Sequence, residues 1–201
     1  MAGGGMRHIV ITIGAEYGSG GVEIGRMVAD QLGIEYYNRD LIDKVVERTG
    51  VDKELVIKAD QENNVRYGID TRLGTRYANL SNKVIATQFE VIRQMAKKSS
   101  VIIGRCSDYI LQGEDYVVNI FVYAPEEYRV RTIMEKQNLS ERKARETVKE
   151  HDIALHQRYK YITGTYRGDR HNRHLLIDSS ALGWEKTAKM IQAFVEMRFE
   201  D

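Results

Sequence analysis

An α/β fold built on a mainly parallel sheet is predicted by three observations. Short apolar runs recur without polar alternation, helical hydrophobic spacing separates them, and a glycine-dense turn follows the first run directly. The runs are residues 9–13, 101–103, 117–123 and 175–177. Near-continuous β-branched runs suit strands covered on both faces, as parallel strands are. Strands alternating with helices throughout the chain give the α/β class.

The elements follow in order. After the first run and its turn, Ile24, Met27, Val28 and Leu32 fall on one helical face. Gly33 is placed to end that helix in a left-handed cap. Residues 34–37 form a short extended piece that suits an edge strand. Residues 40–48 read as a helix ended by Gly50, and residues 52–59 as another with Asp52 as N-cap. Residues 61–75 are polar without a clean period and read as a loop. The longest helix is expected over 79–97, with Val84, Ile85, Gln88, Ile92 and Met95 on one stripe.

The single proline, Pro125, follows the 117–123 strand and precedes Glu126 and Glu127. Proline in a first turn leaves no donor unsatisfied, and acidic side chains there favour the positive helix end. That helix runs to about residue 136. Residues 139–160 read as one long charged helix or a helix pair, and 164–173 as a flexible basic loop. A last strand precedes a helix over 184–197 with Trp184, Ala188, Ile191 and Val195 facing inward. There are no repeats, low-complexity tracts or linkers.

Composition narrows the function classes. In 201 residues the net charge is +1, which gives no general attraction to nucleic acid or to a membrane surface. Residues 126–173 nevertheless carry twelve Lys and Arg against eight Asp and Glu. That local excess suits a small anionic ligand, and suits a solvated helical surface equally. Cys106 is the one cysteine, so no internal disulfide forms. It reads as a packing residue in a chain expected in the reducing cytoplasm. No apolar run is long enough for a membrane helix, and residues 1–7 lack the apolar core of a signal peptide.

The segment Gly14-Ala15-Glu16-Tyr17-Gly18-Ser19-Gly20-Gly21-Val22 joins the first strand to the first helix. Backbone N–H groups of such a loop converge on one point and attract phosphate. A full phosphate-binding loop reads G-x-x-x-x-G-K-[ST]. Aligned on Gly20, this chain has Ala15 at the first glycine, Gly21 at the lysine and Val22 at the hydroxyl. The loop is therefore either a phosphate nest or a tight strand–helix turn. A dinucleotide fold is a rival, because Gly14, Gly18 and Gly20 have the glycine spacing of short-chain dehydrogenases. The Tyr-x-x-x-Lys pair of those enzymes is absent, and Glu23 breaks the G-x-G-x-x-G pattern.

Several segments together resemble the cytidylate-kinase-like family of nucleoside monophosphate kinases. They are Ile11–Gly14 with Glu16–Gly21, Leu32-Gly33-Ile34 before Tyr36-Tyr37, and Asp40-Leu41-Ile42. Val101-Ile102-Ile103-Gly104-Arg105-Cys106-Ser107-Asp108 follows, then Ala124-Pro125-Glu126-Glu127 with Arg129, then Leu139-Ser140-Glu141. Tyr159-Lys160-Tyr161, Thr163-Gly164 and Leu176-Ile177-Asp178-Ser179-Ser180 complete the set. The resemblance implies a three-layer P-loop kinase fold over residues 1–201, with a parallel sheet. It implies a helical acceptor-binding insertion at about 39–98 and a basic lid at about 137–173. The implied reaction moves the γ-phosphoryl group of ATP, with Mg²⁺, to a nucleoside monophosphate such as CMP or dCMP. Its partners would be small-molecule nucleotides, not nucleic acid or membrane.

On this resemblance Glu16, Tyr17, Gly18, Ser19, Gly20 and Gly21 would cradle the donor phosphates. Asn38, Asp40, Arg105 and Asp108 would hold the acceptor. Arg105, Arg129 and Arg158 would serve the transfer, and no metal-ligating cluster is expected. Each has a plainer alternative: Arg105 paired with Asp108 or Asp40, or Arg158 and Lys160 on a solvated helix face. The chain also departs from the family pattern, in which Ala15, Val22 and Leu155 are commonly arginine and Asn38 is commonly aspartate. A developing phosphoryl charge needs fixed cations. Arg167, Arg170 and Arg173 of the 166–173 loop are available to compensate. A second reading is therefore a nucleotide-binding protein of the same fold with impaired catalysis.

Overall fold

The computed structural model of the chain describes residues 7–38, 40–61 and 71–200. Its centre is β1 (Val10–Ala15), flanked by β3 (Ser100–Ile103) and β4 (Val117–Tyr123). β2 (Glu35–Tyr37) lies outside β3, and β5 (Leu175–Asp178) lies outside β4. All four pairings are parallel, with Ile13 opposite both Ile103 and Ile120. The chain leaves β1 for β2 and β3 on one side, then for β4 and β5 on the other. In such a sheet the ligand crevice lies outside the carboxyl end of the strand where the direction reverses. Here that strand is β1, and the glycine loop follows it.

Alternate residues of each strand serve opposite faces. Ile11, Ile13, Val101, Val118, Ile120 and Val122 are buried on one face. They pack against Ile24 and Val28 of α1 (Gly21–Leu32) and Ala188, Ile191 and Val195 of α9 (Trp184–Phe199). Val10, Ile102 and Val117 face the other way. That side is covered by α2 (Asp40–Thr49), α3 (Lys53–Gln61), α4 (Thr71–Met95) and α5 (Ser107–Ile110). Val130 and Ile133 of α6 (Glu126–Gln137) meet Ala144 and Val148 of α7 (Glu141–Thr163) in a separate small core. A short α8 (Ser179–Leu182) links β5 to α9.

The expected strands are present within a residue or two, and β2 is the short edge strand that residues 34–37 suggest. Gly33 caps α1 at φ 63°. Asp52 Oδ1 accepts from Glu54 N–H at 2.9 Å at the start of α3. One expectation changes and one open alternative closes. Residues 71–75, read as part of a loop, are the first turns of α4. Nothing there interrupts a helix, and an extension of a packed helix needs no apolar stripe of its own. The rest of that expected loop, residues 62–70, lies outside the described residues. Residues 139–160 are not a helix pair: one continuous α7 starts at Ser140, whose side chain accepts from Lys143 N–H. The 164–173 loop carries a single 3₁₀ turn, Arg170–Asn172. Among the described residues no helix is long and apolar enough to cross a membrane.

Candidate active site

The glycine loop is fastened from several directions. Ser19 Oγ donates to Glu16 O at 2.8 Å and to Val122 O at 3.2 Å. Ser179 Oγ, fully buried, donates to Ser19 O at 2.6 Å. Arg129 Nε donates to Ala124 O at 2.9 Å and lies 3.2 Å from Glu16 Oε2, while its Nη1 donates to Tyr17 O and pairs with Asp152. Asp152 Oδ1 in turn accepts from Tyr17 N–H at 3.1 Å. The Tyr17 ring stacks on His151 with centroids 4.0 Å apart. Gly18 and Gly20 take φ of 86° and 85°, which only glycine adopts without strain. A Cβ on Gly20 would stand 2.3 Å from Trp184 Nε1, so the indole closes over the loop only because residue 20 has no side chain.

These ties do not cap α1. Gly20 provides no side-chain cap, so the first N–H groups of the helix keep no acceptor from the helix itself. The positive end of the helix dipole lies at this turn. Glu16 and Tyr17, expected at the phosphates, instead serve mainly as anchors. Glu16 Oε2 accepts from Ala124 N–H at 3.2 Å, and the Tyr17 hydroxyl accepts from Gln137. Arg129, expected to serve the transfer, has a side chain only 10% exposed and spends its donors on the loop's framework. It positions the loop from inside.

One strand away, at the carboxyl end of β3, the backbone turns sharply. Gly104, Arg105 and Cys106 take φ of 63°, 57° and 57° in succession. Two non-glycine residues in the left-handed region cost about 1–2 kcal/mol each. The turn seats the Arg105 guanidinium deep enough that burial lowers its pKa to about 10, and the neighbouring Arg158 adds to that shift. Arg158 reaches the same place from α7. It is 7% exposed, and its Nη2 donates to Gln88 Oε1 of α4 at 2.7 Å. Its pKa is lowered by burial too. Burial pushes the Cys106 thiol up to about 12, which leaves it a neutral packing group. Arg158, buried, and Arg105, half-buried, are thus neighbouring cations.

Asp108 is not their partner. Its carboxylate accepts from Tyr159 Oη at 2.6 Å and pairs with Arg173, whose side chain is 1% exposed. Asp108 therefore fixes the 164–173 loop to α5. Asn38 and Asp40 follow β2 at the same rim, two strands from the glycine loop. Asn38 hydrogen-bonds the Tyr36 hydroxyl, and Asp40 is exposed at the start of α2.

Between the glycine loop and the 164–173 loop lies a cleft of about 350 Å³, lined by Glu16, Phe121, Tyr123, Asp152, His156, Arg167, Gly168 and Leu176. Arg167 Nη2 donates to Ala15 O. The loop expected to be flexible thus delivers two arginines, 167 and 173, to the sheet. Asp152, Ser179 and Trp184 have no sequence signal for their parts here. Asp152 sits in a charged helix, and although Ser179 lies in a family-like segment and Trp184 on an inward helix face, neither place points to the glycine loop. Gln88 had one: a polar residue in an apolar stripe.

Comparison with known proteins agrees with this architecture. A model of the family described as "Cytidylate kinase-like family" matches residues 10–181. A cytidylate kinase of Methanopyrus kandleri is 25% identical, over 96% of this chain and 95% of its own. A crystal structure of a protein from Eubacterium ventriosum superposes with a TM-score of 0.74 at 22% identity, covering 95% of this chain and 99% of that one. The shikimate kinase of Acinetobacter baumannii gives 0.53 at 15% identity, covering 96% and 97%. The sheet, the glycine loop after its central strand and the flanking helices are those of a P-loop kinase fold, and the chain belongs to the cytidylate kinase-like family.

Proposed function

We propose that the chain transfers the γ-phosphoryl group of ATP to a nucleoside monophosphate, with CMP or dCMP as acceptor. The observation that carries this reading is that Arg158, held by Gln88, and Arg105, on the left-handed turn after β3, are close enough to repel each other's charge. Clustered guanidiniums suit an anion, and an acceptor phosphate is such an anion. The N–H groups of the glycine loop and the start of α1 suit the donor phosphates one strand away. Adjacent strands lie about 4.8 Å apart, so the two phosphate sites are neighbours at one rim.

In the transfer an oxygen of the acceptor phosphate bonds to the γ-phosphorus as the bond to the ADP leaving oxygen breaks. Such a reaction asks for alignment and charge neutralisation rather than covalent help. Arg105 and Arg158 hold and neutralise the acceptor. The loop donors hold the nucleotide, and Arg129, Asp152 and Ser179 keep the loop in shape. The described residues offer Mg²⁺ little of their own, so the ion would be held chiefly by the phosphates. Val22 offers no hydroxyl at the start of α1, and Glu16 is engaged by Arg129 and Ala124 N–H. Among the described residues no group of three His, Cys, Asp or Glu side chains comes together. When bound with ATP the ion supplies charge neutralisation at the phosphates.

A coupled assay of ADP release against CMP, dCMP, UMP and AMP tests the proposal. Turnover with a cytidine acceptor above the others supports it; folded protein inactive on all four overturns it. The second reading, nucleotide binding without efficient transfer, is favoured by Ala15, Gly21, Val22 and Leu155 in place of cations. Thermal stabilisation by ATP or CMP in a protein inactive on all acceptors supports that reading.

A further inference from the structure

The lysine position of the glycine loop holds Gly21, and the Ala15 side chain leaves no room there for another. A Cβ on Gly21 would stand 2.2 Å from Ala15 Cβ. The loop thus cannot carry its own phosphate-binding cation without a change at Ala15. A cation nevertheless stands at this place. Arg167 arrives from the 164–173 loop, and its Nη2 donates to the carbonyl of Ala15, the residue that excludes the lysine. Its side chain is 14% exposed, at the wall of the cleft. The guanidinium lies 5.6 Å from the Phe121 ring centroid, and Nη1 is 4.0 Å from Asp152 Oδ1.

The approach of this loop is built in. Gly168 has φ 81°, and a Cβ on it would meet the Phe121 ring at 3.1 Å. Only a residue without a side chain lets residue 167 come so close to the sheet. Asp152 and Glu16 supply the counter-charge that keeps a buried arginine in place. Neither a solvated lid nor a simple strand–loop brace needs a nearly buried guanidinium whose strongest acceptor is a neutral carbonyl.

We propose that Arg167 is the donor-phosphate cation of this chain, replacing from the 164–173 loop the lysine that the glycine loop lacks. When ATP binds, the guanidinium exchanges the neutral Ala15 carbonyl for anionic oxygens of the outer phosphates, which accept stronger, charge-assisted bonds. Arginine suits this task because it stays charged when desolvated and presents a fork of donors. The inference rests on the kinase reading above, and it predicts a cost confined to the phosphates.

The test measures dissociation constants for ATP, ADP and adenosine by calorimetry, with turnover on the best acceptor. It compares wild type, Arg167→Gln and Arg167→Lys. Glutamine keeps a donor for Ala15 O and removes the charge. The expected result for Arg167→Gln is roughly 10- to 100-fold weaker ATP binding and about 100-fold slower turnover, with adenosine affinity unchanged. Arg167→Lys recovers part of both. The triple variant Arg167→Gln, Ala15→Gly, Gly21→Lys recovers ATP affinity, because removing the Ala15 Cβ frees the space at residue 21. Arg167→Gln with wild-type ATP affinity and turnover overturns the inference and leaves the kinase reading standing. Equal losses for ATP and adenosine also overturn it, since they mark a structural brace. A wild-type protein that neither binds ATP nor turns over overturns the kinase reading and this inference together.

Discussion

Arg129 and Asp152 form an ion pair beside Tyr17, and between them they hold both polar groups of its peptide backbone. Arg129 Nη1 donates to Tyr17 O at 3.2 Å, and Asp152 Oδ1 accepts from Tyr17 N–H at 3.1 Å. The pair fastens α6 and α7 to the loop expected to meet phosphate. Family position alone made Arg129 a candidate to touch substrate; the geometry gives it the loop instead.

Asp152→Ala removes one acceptor of the Tyr17 backbone and one of two carboxylates around a nearly buried guanidinium. Breaking a fully buried pair costs about 3–5 kcal/mol. Asp152 is 27% exposed and Glu16 remains beside Arg129, so about 2–3 kcal/mol is expected. Denaturant unfolding with an unchanged slope measures it. Asp152→Asn keeps an oxygen for Tyr17 N–H and is expected to lose less.

Gly20→Ala places a methyl group against the only tryptophan. The residue is at φ 85°, where an L side chain costs about 1–2 kcal/mol before any contact. The new Cβ would then stand 2.3 Å from the Trp184 indole nitrogen, which must shift. The expected result is a loss of about 2–4 kcal/mol with a changed Trp184 emission spectrum. Emission that stays as in wild type would show that the indole does not close on the loop.

The middle of the sheet was legible because β1, β3 and β4 are buried runs rich in β-branched residues, and parallel strands need two covered faces. The glycine loop was legible as a turn, since Gly18 and Gly20 need positive φ. The partners that give the loop its shape were not legible. Asp152 and Arg129 are charged residues on charged helices, and only their meeting at Tyr17 distinguishes them. Arg105 was marked by its place after a strand, whereas the left-handed turn through Gly104, Arg105 and Cys106 carries no sequence signal, because arginine and cysteine do not favour it. Residues 71–75 hid their helix because a helix prolonged from a packed segment needs no hydrophobic period.

His174 gives the fold a small acid sensitivity. Its Nδ1 accepts from Asn119 N–H at 2.8 Å, which requires the neutral ring, and burial followed by Arg198 lowers its pKa below 6.5. The folded form therefore binds the proton less readily than the unfolded form does. Stability from this group is complete above 6.5 and declines as pH falls from there through the lowered folded value. The effect is modest because His174 is exposed in part. His174→Gln is expected to narrow the stability difference between pH 7.5 and pH 5.5, read from unfolding midpoints.

Arg105→Met separates anion binding from folding. At pH 7 to 8 both Arg105 and Arg158 are charged, and burial and mutual repulsion oppose that charge, as the fall of the Arg105 pKa to about 10 records. Methionine fills a similar volume and meets the same left-handed backbone, so the strain at φ 57° is common to both residues. Loss of a charged partner for a phosphate is worth about 1.5–3 kcal/mol, so the acceptor KM is expected to rise roughly 10- to 150-fold. The KM for ATP stays near wild type, because the donor phosphates are assigned to the neighbouring strand end. Steady-state kinetics with each substrate varied in turn checks both arms. A rise confined to ATP, or a large loss of stability with acceptor KM unchanged, would make Arg105 part of the framework rather than of the acceptor site.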